Sequence, residues 1–279
     1  MFNLNNKGKV LTKISGGKYN DKIIYCDNNM VDSSDSDESG EEEDDGKESF
    51  TGGSKHNKNT FNYINIKKSG GKFEPTPDTT HERDILYVSG PSGSGKSFYS
   101  KLFIKNYIKA FPKNEIYMFS KLRSDSSLDD IKKIQRIRID DDLITDPFEA
   151  KDFSDCLVIF DDIDSITNKL IKDSILGLMN DILQIGRHSN TSCIITNHLA
   201  AKGNETKILL SEAHIITLFL GSGQNYNYIL EKYLGYTTKE IQALKKLKTR
   251  WVSFCRHYPQ VIFTEYEIIP QKDLLIYNN

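Results

Sequence analysis

Gly90-Pro91-Ser92-Gly93-Ser94-Gly95-Lys96-Ser97 carries the densest chemical signal in the chain. Glycine at 90, 93 and 95 lets the backbone take conformations that a β-carbon forbids. Successive N–H groups can then turn inward and, with the amino end of a following helix, form a nest for an anion. A lysine at 96 reaches the β- and γ-phosphates of a nucleoside triphosphate, and the Ser97 hydroxyl ligates Mg²⁺. The motif has this meaning between a strand and a helix. The apolar run from Ile85 to Ser89 and the helical spacing from Ser97 onward supply both flanks.

Three further groups could complete such a site. Asp161 and Asp162 end the apolar run that starts at Cys156, and the carboxyl end of a buried strand is where open α/β sheets place ligands. Asp161 is expected as the Mg²⁺ carboxylate and Asp162 as general base or water-positioning group; the plainer role for Asp162 is a bond to loop backbone. Asp164 reads as a cap of the next helix or a solvated acid. Asn197 follows the run 191–196 and is expected to touch the γ-phosphate or the attacking water. A turn or cap role is its alternative, and His198 beside it can substitute. Arg187 lies between a long helix and that run. It can project into a neighbouring subunit's site and stabilise charge on the transferred phosphoryl group, or be an ordinary surface arginine.

Positioning these residues takes alternating strands and helices. Strands are expected at 85–89, 115–120, 134–139, 156–160, 191–196 and 214–220. Helices are expected at about 97–111, with Leu102, Phe103, Tyr107 and Ile108 as buried stripe, and at about 167–187, where Ile171, Ile175, Leu178, Met179 and Ile182 recur at helical spacing. The segment 121–134 reads as a polar loop or short helix. The fold class is α/β: a P-loop NTPase with a mostly parallel sheet sandwiched by helices. Two helices (224–234, 238–248) and a closing β-hairpin (251–255, 261–268) follow. Lys239, Lys245, Lys246, Lys248 and Arg250 make the second of these helices basic, for phosphate contact or as a solvated face. Tyr226, Tyr228 and Tyr233 belong to the core or stack on bases.

The 279 residues divide into a short N-terminal segment (1–30, at most one or two edge strands), an acidic and polar linker (31–60), an extended lead-in (61–82), the P-loop domain (83–270) and a tail (271–279). Residues 32–48 hold ten acids and one base and carry −9, so the remainder, at a total of −2, carries +7. With almost no apolar residues, 31–60 is expected to be disordered. A basic body beside an acidic tract suits a nucleic-acid partner. The four cysteines are far apart with no Cys-x-x-Cys pair, which excludes a zinc or disulfide framework and fits reduced thiols in an intracellular compartment. No signal peptide or membrane span is expected.

The stretches Gly90–Ser97, Leu157–Asp162 and Gln184–His198, the last with its Gly186-Arg187-His188 helix end and polar strand tip, resemble the poxvirus-type virion DNA-packaging ATPases of large DNA viruses, within the FtsK/HerA superfamily of P-loop motors. The likeness covers about residues 83–270. It implies an ATP- and Mg²⁺-dependent hydrolase that translocates double-stranded DNA as a homo-oligomeric ring, with capsid or virion proteins as partners, in the virion or a viral factory of the host cytoplasm. It also implies that Arg187 acts in trans and that Asn197 is the polar sensor. Related motors commonly carry Gln at the position of Asn197 and Glu at that of Asp162. Two other classes use the same loop: a small-molecule or nucleoside kinase, and a nucleotide-ordered switch protein with little turnover.

Overall fold

The computed structural model of the chain describes residues 2–27 and 63–277. Its first part holds β1 (Phe2–Asn3), β2 (Lys9–Ser15), β3 (Ile23–Cys26), β4 (Ile64–Asn65) and β5 (Lys72–Glu74). The central part runs β6 (Ile85–Ser89), α1 (Lys96–Ala110), β7 (Glu115–Ser120), β8 (Ile134–Arg138), α2 (Asp142–Thr145), β9 (Cys156–Asp161), α3 (Lys169–Ile185), β10 (Ser192–Asn197), α4 (Lys207–Glu212) and β11 (Ile215–Leu218). Then come α5 (Asn227–Lys232), α6 (Thr238–Lys246), β12 (Val252–Cys255), β13 (Val261–Thr264), β14 (Glu267–Pro270) and α7 (Leu274–Tyr277).

Ten strands form one sheet in the order β4-β14-β13-β12-β11-β6-β10-β9-β7-β8. From β11 to β8 every pairing is parallel; from β11 outward to β4 every pairing is antiparallel. The central strands are buried along nearly their whole length, as a sheet covered on both faces requires. On one face Leu86, Val88 and Ile194 pack with Tyr99, Phe103 and Tyr107 of α1. On the other, Tyr87, Val158 and Ile195 pack with Ile171, Ile175 and Ile182 of α3.

Helix α3 follows its expected stripe, and its start is fixed by the Asn168 side chain, which accepts from the N–H groups of Leu170 and Ile171. In α1 the stripe is rotated: Tyr99, Phe103, Ile104 and Tyr107 are buried, while Leu102 and Ile108 are half-buried at its margins. No helix forms over 121–134. The expected closing hairpin is a three-stranded meander instead. Glu265 and Tyr266 break the run 261–268 into β13 and β14, with the Thr264 hydroxyl accepting from the N–H groups of Tyr266 and Glu267.

The N-terminal segment does more than the one or two edge strands expected of it. β1, β3 and β2 join β5 in a separate four-stranded antiparallel sheet, whose Leu11, Ile14 and Phe73 extend the α1-side core. The stretch 61–82 supplies a strand to each sheet. The acidic tract and the disorder expected over 31–60 lie outside the described residues.

Asp78 ties the two sheets together. Its carboxylate accepts from Val10 N–H at 3.2 Å, and its own N–H donates to Asp84 Oδ2 at 2.8 Å. Burial pushes the Asp84 carboxyl up to about 7. The folded state therefore binds a proton that the unfolded state has lost between pH 4 and 7. Asp84 thus makes stability fall as pH rises through that window and level off above it. Asp84→Asn is expected to raise the melting temperature at pH 8, by on the order of a few kcal/mol of stability, and to leave it unchanged near pH 4. Thermal melts of both proteins across pH 4–8 check this; parallel profiles would refute it.

Candidate phosphate-binding site

The polar groups gather at one edge of the sheet because the parallel strands all point there. β6 runs into the loop 90–95, β9 delivers Asp161 and β10 delivers Thr196 and Asn197, with Thr196 in register with Asp161 and Asn197 with Ser89. The loop depends on its glycines. Gly95 has φ +112° with the Phe219 ring 3.4 Å from where a β-carbon would stand, and a β-carbon on Gly90 would lie 2.5 Å from Ser94 Oγ and 3.0 Å from Phe219. Larger residues would push the loop off Phe219.

Lys96 opens α1 and is buried, 7% exposed. Its Nζ donates to Gly90 O at 2.9 Å, faces His198 Nδ1 at 3.3 Å and lies 3.5 Å from Asp162 Oδ1. An ammonium has no lone pair to offer, so His198 Nδ1 accepts and Nε2 carries the hydrogen toward Asp162 Oδ2, at 3.1 Å. Lys96, His198 and Asp162 thus close a triangle over the loop.

Asp162 has φ +47°, a left-handed conformation that Asp and Asn tolerate better than most residues. That turn lets its N–H donate to Thr196 O and Thr196 Oγ1, both at 3.0 Å. The backbone tie expected as its plainer role therefore coexists with a carboxylate facing Lys96. Asp161 points to the α1 side, where the hydroxyls of Ser120 and Thr196 donate to its two oxygens, each at 3.0 Å. Burial, and after it the Asp162 charge, raise its carboxyl above the usual range, while those hydroxyls pull the other way. A nearby cation would offset that cost. The oriented Asp161 carboxylate and the hydroxyl of Ser97, second residue of α1, are hard-oxygen donors of the type that suits Mg²⁺ completed by phosphate and water. Among the described residues, no group of three or more His, Cys, Asp or Glu is placed to hold a metal alone.

Some expected residues fall elsewhere. Asn197 is 3% exposed and shares the face of Ser89, opposite to that of Thr196 and Asp161, because side chains alternate along a strand; its Oδ1 has no partner. Asp164 neither caps the next helix nor lies in solvent. Its Oδ2 accepts from the N–H groups of His198 and Leu199, each at 3.0 Å, and so fixes the tip of β10. Arg187 follows α3 at the opposite edge of the sheet, roughly 20 Å away along β10. There it is 71% exposed and its Nε donates to Glu82 Oε2 at 2.5 Å. Its neighbour Arg83 is structural, donating to Ile182 O and Leu183 O at the end of α3. Arg136 and Arg138 lie on outer strand β8, paired with Asp129 and Asp140, while Arg123 is exposed in the preceding loop. Tyr226 is core, while Tyr228 is exposed.

Arg250, expected as part of the basic helix, stands beside the loop: its Nη2 lies 3.6 Å from the β-carbon position of Gly95. Local pattern gives no signal for this, because the antiparallel pairing of β12 with β11 carries it there. The engagement of His198 with Lys96 also needed the strand alternation in space.

No family model matches the chain. The fold is similar to two solved genome-packaging NTPase structures. B204 from Sulfolobus turreted icosahedral virus 2 with ATPγS is 19% identical over 66% of this chain and 98% of its own, TM-score 0.46. B204 from Sulfolobus turreted icosahedral virus is 18% identical over 66% and 97%, TM-score 0.47. The pCW3 conjugation coupling protein TcpA is 12% identical over 97% and 82%, TM-score 0.48. These scores are all below 0.5, and the P-loop assignment stands on the chain's own strand order and loop. Sequence likeness reaches further: protein V3 of Sputnik virophage, itself uncharacterized, is 36% identical over 268 residues, which span 95% of this chain and 96% of V3. Over nearly the full length of both proteins, the chain belongs to the V3 family.

Proposed function

We propose that the chain is a Mg²⁺-dependent ATPase that works as a homo-oligomeric ring on double-stranded DNA and packages a viral genome into its capsid. The observation that carries the ATPase reading is the convergence of Lys96, Asp162 and His198 at one glycine-dependent loop, with Asp161 held at the same sheet edge. The motor reading rests on the motif resemblance and on the basic body.

The loop N–H groups and Lys96 hold the phosphates; Ser97 and Asp161 are the residues that would hold Mg²⁺, which would supply charge neutralisation to the phosphates when bound. An incoming γ-phosphate takes Lys96 from its carbonyl and imidazole partners. Asp162 then accepts a proton from the attacking water, and His198, rather than the averted Asn197, is the polar group that orients it. Arg187, exposed at the far edge, exchanges Glu82 for the γ-phosphate of a neighbouring protomer. Against the kinase alternative, Arg123, Arg136 and Arg138 of 121–150 lack the tight cluster of a phosphate-clamping lid, and Arg136 and Arg138 are paired with acids.

Steady-state ATP hydrolysis with and without double-stranded DNA tests this, with Lys96→Ala, Arg187→Ala and their mixture. Expected are stimulation by DNA, loss in each variant, and partial recovery on mixing, where some interfaces pair an intact Lys96 site with an intact Arg187. DNA-indifferent turnover and a harmless Arg187→Ala would refute the motor; negligible turnover with ATP-dependent assembly would favour the switch.

A further inference from the structure

The phosphate loop has two sides. β10 and β9 flank β6 on one and carry the groups placed around the γ-phosphate; β11 and β12 flank it on the other. The first residue of β12, Val252, pairs with the last of β11, Leu218, so the residues just before β12 reach the same sheet edge as the loop. Arg250 is one of them.

Its backbone is fixed. The N–H of Arg250 donates to Glu265 Oε2 at 3.1 Å. The next residue, Trp251, is buried, with ring centroids 5.0 Å from Tyr99 of α1 and 5.6 Å from Phe263. The side chain is exposed and turned back over the loop, beside Gly95 and the Phe219 ring. Among the described residues, no carboxylate or carbonyl engages its guanidinium. The amino end of a helix carries partial positive charge, and Lys96 adds a full one. Arg250 adds a further positive group, its guanidinium in no ion pair among the described residues and so open to an anion in the loop.

We propose that Arg250 is a phosphate ligand in cis, gripping the α- and β-phosphates of the bound nucleotide from the side opposite His198. This rests on the reading of the loop as an ATP site. The assignment to those phosphates follows from the sides of the loop: Asp162 and His198 mark where the γ-phosphate is cleaved, and Arg250 stands across β6 from them. Its contact is present with ATP, in the transition state and with ADP alike. Such uniform binding sets affinity without changing the rate of the bound complex. Arg250 thereby differs from Arg187, whose role is confined to the triphosphate.

The test uses the full chain with Mg²⁺ and compares wild type, Arg250→Ala, Arg250→Lys and Lys96→Ala. Affinities for ADP and for a non-hydrolysable ATP analogue are measured by calorimetry, and KM and kcat by phosphate release. Arg250→Ala is expected to weaken ADP and the analogue equally, by about tenfold, and to raise KM by that factor with kcat unchanged; Arg250→Lys regains part of it. Unchanged ADP affinity, loss confined to the triphosphate, or a lower kcat at constant KM would each overturn the proposal. Failure of wild type to bind either nucleotide would overturn the ATP site itself. Binding by wild type that Lys96→Ala impairs and Arg250→Ala does not would leave that site standing and remove the arginine alone.

Discussion

Lys96→Ala is expected to lower ATP turnover by about 10³-fold, the range found when one preorganised donor to a developing anion is removed. The ammonium is buried against Gly90 O within the loop, so no solvent cation can occupy its place with the same orientation. Its removal also opens the triangle with His198 and Asp162, which leaves the Asp162 carboxylate held by the imidazole and the Thr196 hydroxyl. Lys96→Arg should not rescue, because the planar guanidinium is larger than the enclosed ammonium and cannot make the same single-point contact. Phosphate release under saturating ATP measures the loss, with far-UV circular dichroism to establish that the fold persists. Turnover within tenfold of wild type would mean that the loop does not bind the reacting phosphates.

Asp162→Asn is the other large effect, a fall in kcat of about 10²–10⁴-fold with nucleotide affinity close to wild type. Asparagine is nearly isosteric and accepts the left-handed backbone found at this residue, so the turn and its bonds to Thr196 survive while the proton acceptor is lost. His198→Ala should cost less, about tenfold, since it removes the donor that aims the carboxylate and not the carboxylate itself. Asn197→Ala should leave kcat untouched. A normal Asp162→Asn enzyme beside a dead His198→Ala enzyme would transfer the basic role to the imidazole.

The parallel half of the fold was legible because its determinants are local. Unbroken apolar runs such as Cys156–Phe160 have no other use than a strand buried on both faces, and the glycine loop declares its own flanks. The outer half was harder. The break at Glu265 and Tyr266 depends on a threonine hydroxyl capturing two N–H groups, and the strands at Phe2–Asn3 and Ile64–Asn65 exist only because longer partners hold them. At the site, residue types and spacing placed Lys96, Asp161 and Asp162 at one sheet edge, as the structure has them, but did not show which of two adjacent polar residues turns toward Lys96. Asn197 and His198 differ there by one step along the chain, and one step reverses the direction of a strand side chain. Arg250 was invisible for a different reason: the sequence distance from Gly95 is long, and only the pairing of β12 with β11 cancels it.

The packing of Trp251 has an optical consequence. It is the only tryptophan in the chain, it sits next to Arg250, and its indole meets the edge of Tyr99 in the first turn of α1. Tyr99 in turn has its hydroxyl 2.9 Å from Ser253 Oγ. Ultraviolet excitation therefore yields emission from a single indole lodged against the phosphate-loop helix, a native fluorophore that reports displacement of that helix without any label.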